Sequence, residues 1–148
     1  MTAASMAVAF HTGVSDPVVH AMRLTLKALS LGSGVLLIGP ERALHDLDEQ
    51  LWTAEPDSFV AHAWWREGAA LGTRLSRAPV WLWGLDEADV PTGREVLINI
   101  GLPVPRNARA FAKVIEVVSA DPAERRLGQT RWRVWREQGI APAHHSFS

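Results

Sequence analysis

The segment "KVIEVVSADPAERRLGQTRWRVWREQG", residues 113–139, decides the fold. Residues 113–119 are rich in β-branched side chains, which predicts a strand. "DPAE" at 121–124 places aspartate at a helix N-cap, proline at the first helical position and glutamate at the third, a capping-box arrangement. We therefore predict a helix from residue 122 to about Gln138, which Gly139 ends.

The same alternation of strands and helices precedes this segment. We predict one helix from the N-cap Asp16 to about Ser30 and another from Pro40 through Trp52. Strands are predicted at 6–10, 35–39, 59–65, 80–84 and 95–101. This order in 148 residues predicts an α/β fold, as a single three-layer α/β/α domain over residues 1–148 with a Rossmann-like, mostly parallel sheet. A short C-terminal tail is expected from about residue 141.

The composition argues against several classes of protein. There is no cysteine, so disulfides and thiolate metal sites are ruled out, and an intracellular, cytoplasmic protein is favoured. The first ten residues lack the basic start of an export signal, and the longest apolar run, "GVLLIG" at 34–39, is too short to span a bilayer. We therefore expect no membrane partner. A pI of about 6.6 argues against a surface built to hold duplex DNA.

No motif indicates catalysis, a cofactor or a metal. Gly32 and Gly34 precede a strand instead of following it, and neither phosphate-binding glycine pattern occurs. The six histidines lack the HExxH spacing of zinc enzymes. His45 with Asp48, or His62 beside the tryptophans, could be drawn as catalytic pairs, but histidines in helices and strands are more often structural. We predict no catalytic residue, no cofactor and no metal.

The terminal helix carries an unusual cluster, "RWRVWR" at 131–136. At about 100° per residue, one side of the helix should present Gly128 as the floor of a notch, with tryptophans as walls and arginines at its flanks. Leu127 and Val134 should then face the core. The alternative is that the tryptophans are partly buried and the arginines are ordinary surface side chains.

The charge distribution supports a binding role for this helix. Residues 125–136 hold five arginines and no acid, whereas residues 41–57 hold six acids and one arginine. Arginine binds carboxylate or phosphate, and indole binds a ring. Two ligands suit these groups: single-stranded nucleic acid, or an acidic peptide that ends in an aromatic residue with a free carboxylate.

Four stretches carry a resemblance to a known family: "LDEQLWTAEPDSFVAHAW" (47–64), "REVLINIG" (94–101), "KVIEVV" (113–118) and "RWRVWREQG" (131–139). In this order and spacing the chain resembles the chi subunit of bacterial DNA polymerase III holoenzyme. The resemblance implies an α/β/α accessory subunit without catalytic activity of its own. It also implies two partners: the psi subunit of the clamp loader, and the acidic C-terminal tail of single-stranded DNA-binding protein, which ends in proline and phenylalanine.

The resemblance implies a tail site on the last helix. The matching positions are Arg125, Arg131, Trp132, Arg133, Trp135 and Arg136. We expect an arginine to bind the terminal carboxylate, and Trp132 with Val117 to hold the phenylalanine ring. Gln129 stands where the enterobacterial pattern has an arginine, so the carboxylate contact falls to Arg131 or Arg125. Replacing Arg131 or Trp132 by alanine is expected to weaken tail binding without unfolding the domain.

The resemblance also implies a psi-facing surface after the second helix. Trp52, Pro56 and Phe59 in "LWTAEPDSF" are the expected apolar contacts. On this interpretation the protein contacts DNA mainly through its partners and works in the cytoplasm at the replication fork.

Overall fold

Seven strands form one sheet in the computed structural model, which describes residues 6–53, 60–65 and 75–147. The strands are β1 (Ala7–Val14), β2 (Val35–Ile38), β3 (His62–Trp64), β4 (Val80–Trp83), β5 (Val96–Asn99), β6 (Lys113–Ser119) and β7 (Ala143–Ser146). The helices are α1 (Pro17–Ser30), α2 (Glu41–Thr53) and α3 (Pro122–Glu137), with short 3₁₀ turns at Leu75–Arg77 and Ala108–Ala110. Among these residues, no helix combines the length and apolarity needed to cross a membrane.

The sheet has the order β3-β4-β2-β5-β6-β1-β7, and every neighbouring pair is parallel. The central strands β2, β4 and β5 are buried along their whole length, as expected for a parallel sheet covered on both faces. This confirms the predicted α/β/α domain.

Helices cover the two faces of the sheet unequally. Leu44, Leu47 and Leu51 form the buried stripe of α2, which packs with α1 on one face. The other face is covered by α3 and by the loops that follow β4 and β5, with Trp135 fully buried among them. The last helix therefore lies alone over β6 and β1, and any groove beside it is open to solvent.

At the ends of three elements, one detail agrees with prediction and two differ. The Asp16 carboxylate accepts a hydrogen bond from the Val19 N–H at 3.1 Å, as predicted for an N-cap. Asp121 also precedes its helix, but its side chain makes no capping hydrogen bond; its own N–H donates to the Ser119 hydroxyl. Strand β3 is shorter than predicted, and Phe59, at the predicted start, lies outside the described residues.

The prediction of a C-terminal tail from about residue 141 is wrong for four residues. Residues 143–146 form β7, which pairs in parallel with β1 from Ala9↔Ala143 to Thr12↔Ser146. All four residues of β7 are exposed, so no hydrophobic alternation marks the strand in the sequence. It forms because the edge of β1 offers unpaired backbone groups.

The orientation predicted for α3 is also wrong. Leu127, predicted to face the core, is 52% exposed, whereas Gly128, Arg131 and Trp135 are buried against the sheet. Gly128 allows this close packing, since a Cβ there would lie 2.8 Å from both Val118 methyl carbons. The sheet-facing positions are thus a glycine, an arginine and a tryptophan, which an apolar-stripe rule does not select.

Candidate functional site

A cleft of about 540 Å³ lies between the first half of α3 and the carboxyl ends of β1, β6 and β7. Three segments that are far apart in sequence therefore meet at one edge of the sheet. The cleft is lined by Phe10, Thr12, Gly13, Val118, Ala120, Arg125, Gly128, Gln129, Trp132, His144 and Ser146.

The apolar part of the cleft is built by two rings and a valine. Trp132 is half-buried and packs edge-to-face on Phe10, with ring centroids 5.0 Å apart. Val118 and Gly128 contribute surface beside these rings, and Gly128 adds no side chain that would fill the space. The result is an open apolar surface of a kind that can take one aromatic ring.

Val117, expected from the resemblance to hold that ring, points away from the cleft. Successive side chains of a strand point to opposite faces of a sheet, and Val117 belongs to the core under α1 and α2. Its neighbour Val118 faces α3 and lines the cleft. The valine of β6 that can contact a ring in the cleft is therefore Val118 and not Val117. On the α3 side, Val117 contributes its carbonyl oxygen, which accepts from Arg131.

Arg131 is buried, although the resemblance placed it among the ligand-binding arginines. Only 4% of its surface is exposed. Its Nε lies 3.2 Å from Glu116 Oε1, and its Nη2 donates to the Val117 carbonyl oxygen at 3.1 Å. A guanidinium held in this way is not available to a carboxylate in the cleft.

Glu116 and Trp135 complete this buried polar cluster. The Trp135 Nε1–H donates to Glu116 Oε2 at 2.8 Å, so both carboxylate oxygens of Glu116 have a partner. Burial raises the pKa of the Glu116 carboxyl, and the Arg131 charge opposes that shift. Trp135, expected in the ligand site, is fully buried and supports the helix from below.

The remaining arginines of α3 are exposed. Arg125 lines the cleft, whereas Arg126, Arg133 and Arg136 do not. None of these four forms an ion pair with another residue in the described part of the chain. They give the helix an uncompensated positive field near the cleft.

Strand β7 supplies a wall that the sequence did not reveal. His144 Nε2 lies 2.6 Å from the Thr12 hydroxyl oxygen, and its ring centroid is 6.2 Å from that of Trp132. His144 and Ser146 both line the cleft. These residues fall in the predicted C-terminal tail, because no periodicity in them signals a strand.

A pair of histidines, His11 and His20, anchors the end of β7. His11 Nδ1 lies 2.8 Å from His20 Nε2, and the Phe147 ring packs on both imidazoles with centroids 4.9 and 4.6 Å away. Burial, then the charges of His20, His145 and Lys113, lower the pKa of His11 from 6.5 to about 4. Burial, then Arg23, also lowers the pKa of His20.

The residues expected to face psi are only partly described. Trp52 lies near the end of α2, is 55% exposed and packs edge-to-face with His62 at 5.1 Å. Pro56 and Phe59 lie outside the described residues. His62 lies 2.7 Å from Asp48 Oδ1 through Nε2 and 2.6 Å from the Val60 carbonyl oxygen through Nδ1, so it ties α2 to β3.

Fold and cleft together define a small α/β/α domain with a cationic and aromatic groove on its last helix. In the described ranges no three metal-ligand side chains cluster. The family model of the DNA polymerase III chi subunit, HolC, matches residues 6–143.

Curated relatives agree with this match. The chain is 35% identical to the DNA polymerase III subunit chi of Pseudomonas aeruginosa over 128 residues, covering 84% of this chain and 82% of the relative. It is 29% identical to the chi subunit of Escherichia coli over 100 residues, 68% of this chain and 64% of the relative. The chain belongs to the family of the DNA polymerase III chi subunit, an accessory subunit in DNA replication.

Replacing Arg131 by alanine should destabilise the domain, contrary to the expectation from sequence. The change leaves Glu116 buried without its cation, which costs roughly 3–5 kcal/mol of unfolding free energy. The exposed Arg133→Ala variant is the matched control and should change stability by less than about 0.5 kcal/mol. Urea unfolding of both variants measures the difference; equal stability would show that the buried pair contributes little.

Acid should destabilise the domain through His11, which packs on His20 and Phe147. His11 is harder to protonate in the folded chain than in the unfolded chain, so the unfolded state binds more protons between about pH 6.5 and pH 4. The part of the unfolding free energy that depends on neutral His11 is therefore fully present above pH 6.5 and is lost as the pH falls towards 4. Unfolding curves across this range should show a smaller loss for His11→Gln than for wild type or for His45→Gln, which alters an exposed histidine. If the unfolding free energy fell equally with pH in His11→Gln and in wild type, His11 would not be the cause of the acid effect.

Proposed function

We propose that this protein is a non-catalytic replication subunit that binds the acidic C-terminal tail of single-stranded DNA-binding protein in the α3 cleft. The observation that carries the proposal is the pairing, in one open cleft, of the half-buried Trp132 ring with the exposed guanidinium of Arg125. A peptide that ends in phenylalanine presents an aromatic ring and a carboxylate on one residue, which matches these two groups.

The terminal ring is expected to pack against Trp132, Phe10 and Val118. Burial of an aromatic side chain stabilises by about 1.5–3 kcal/mol relative to exposure. Of the two arginines that the resemblance left open for the carboxylate, Arg125 is exposed and Arg131 is buried in an ion pair, so we assign the carboxylate to Arg125. The Gln129 side chain, which also lines the cleft, can donate a further hydrogen bond.

The acidic residues that precede the terminal phenylalanine are expected to meet the exposed arginines of α3. Contacts of this kind speed association and give specificity more than affinity, and salt screens them. A modest single affinity is enough for a tether, because many copies of the coating protein on one strand raise the effective concentration of tails. The protein would then connect the clamp loader to the coated strand, in the cytoplasm at the replication fork.

The connection to the clamp loader is assigned to the psi subunit at the end of α2. The support is Trp52, a large apolar side chain that is 55% exposed. Tryptophan is enriched among the residues that contribute most of the binding energy at protein interfaces. This surface lies at the amino ends of the strands, the opposite edge from the α3 cleft, so both partners can bind at once.

Tail binding is tested by anisotropy of a labelled peptide that copies the tail of single-stranded DNA-binding protein from the same organism. Arg125→Ala should weaken binding about tenfold, since a charge-assisted contact contributes roughly 1.5 kcal/mol. Trp132→Ala should weaken it at least as much. Arg126→Ala, which removes a neighbouring arginine outside the cleft, is the matched control and should lower affinity far less.

A peptide without the final phenylalanine serves as the second control. Loss of binding for this peptide shows that the terminal ring is required, since the shortened peptide still ends in a carboxylate, and the Arg125→Ala variant reports on the carboxylate contact. Equal binding of both peptides, or equal effects of Arg125→Ala and Arg126→Ala, would contradict the cleft assignment. If an oligonucleotide of single-stranded DNA binds and neither peptide competes with it, the helix is a direct nucleic-acid site instead.

The psi assignment is tested by calorimetry with the psi subunit of the same organism. Trp52→Ala should weaken binding about tenfold or more, because a central aromatic contact often contributes 2 kcal/mol or more. Leu127→Ala, which shortens an equally exposed apolar side chain on α3, should leave binding unchanged. Equal affinity of wild type and Trp52→Ala would place the psi surface elsewhere.

A further inference from the structure

We propose that a second groove, at the carboxyl ends of β2, β4 and β5, docks a partner protein through a short apolar segment that carries lysine or arginine. This groove has a volume of about 540 Å³, equal to that of the α3 cleft. Its walls are the loops that follow β4 and β5, and its floor includes Ile38 and Trp83.

The groove occupies a special position in the sheet. The chain leaves β2 for α2 on one face, whereas the chains leaving its neighbours β4 and β5 pack on the other face. Neighbouring strands whose connections diverge in this way leave a crevice at their carboxyl ends, which is where open α/β sheets bind ligands. The crevice here is at the same edge of the sheet as the α3 cleft but over different strands.

The two loops are fastened together, so the groove is preformed. Asn107 Oδ1 accepts from the Val90 N–H at 3.0 Å, and Asn107 Nδ2 donates to the Val90 carbonyl oxygen at 2.8 Å. The Arg106 N–H donates to the Ala88 carbonyl oxygen at 2.7 Å. A preformed groove binds without the cost of ordering its loops.

The lining combines apolar side chains with uncompensated negative charge. Leu85, Leu102 and Val104 are half-buried and line the groove beside its buried floor. Arg106 also lines the groove, but its charge is paired with Asp89, which does not line it: its Nε and Nη2 lie 3.0 and 2.7 Å from the two carboxylate oxygens of Asp89.

The charges of Asp86 and Glu87, unlike that of Asp89, are not compensated by an arginine within the described residues. Both are exposed and line the groove, and neither forms an ion pair with a residue of the described chain. The groove therefore offers two carboxylates beside an apolar trough, the reverse of the charge at the α3 cleft. Charge complementarity selects a basic and apolar segment and disfavours the acidic tail assigned to α3.

Selection of random peptides displayed on phage tests this proposal with the full chain. Wild-type protein is the bait, and the variant D86K/E87K is the counter-selection. Enriched peptides should pair a lysine or arginine with a large apolar residue. A synthetic copy should bind D86K/E87K about tenfold or more weakly, in line with the loss of two charge contacts.

Two variants are the controls. D46K/E49K makes the same charge change at exposed positions of α2, on the other face, and should bind the peptide like wild type. Arg125→Ala alters only the α3 cleft and should also have no effect, so failure of the tail proposal and failure of this one are separable. Amide shifts on titration with the peptide should fall in residues 84–90 and 102–106.

Three outcomes would overturn the proposal. The first is no enrichment on wild type over D86K/E87K. The second is enrichment of peptides without basic residues, or of peptides whose binding is lost in Arg125→Ala. The third is self-association of wild type in sedimentation velocity that D86K/E87K abolishes, which would make the occupant a second copy of this chain.

Discussion

The buried cluster of Arg131, Glu116 and Trp135 sets the position of the last helix on the sheet. A charge taken out of water must be paired and hydrogen-bonded, so these three side chains hold α3 at one rotation and one height over β6. Gly128 allows the approach that the cluster requires, one turn earlier along the helix. With α3 fixed in this way, Trp132 lies at the mouth of the cleft and Arg125 at its rim. The proposed binding surface is thus a consequence of what is buried beneath it.

Charge is segregated between the two grooves at the carboxyl edge of the sheet. Arg125 lines the cleft beside α3 and further exposed arginines lie along the same helix, none of them in an ion pair within the described residues, whereas Asp86 and Glu87 line the groove over β2, β4 and β5. The net charge of −1 conceals this separation, because it sums two surfaces of opposite sign. Surfaces of this kind choose partners by repelling the wrong one as well as attracting the right one. Together with the exposed Trp52 at the opposite edge, they are the three separate surfaces to which we assign partners.

Most of the elements could be predicted because each has a local cause. Asp16 caps α1 through its own carboxylate, and the β-branched run at 113–119 forms β6 over the predicted residues. The site was less predictable, since its residues are chosen by contacts across the sheet. Val118 and not Val117 faces the cleft because side chains alternate along β6, and α3 lies on only one of its faces. Strand β7 has no apolar pattern of its own and exists only because β1 offers an edge.

The sequence by itself determined the α/β class, the single domain, the last helix and, through the order of its motifs, the chi family. These properties follow from turn and cap residues, from the period of apolar side chains and from spacing along the chain, all of which are local. The tertiary structure alone decided which arginine is available to a ligand and which is buried. Arg125 and Arg131 are the same residue type on the same helix, and what separates them is a carboxylate that β6 places under one of them. Pairing between groups that are distant in sequence is what no local pattern encodes.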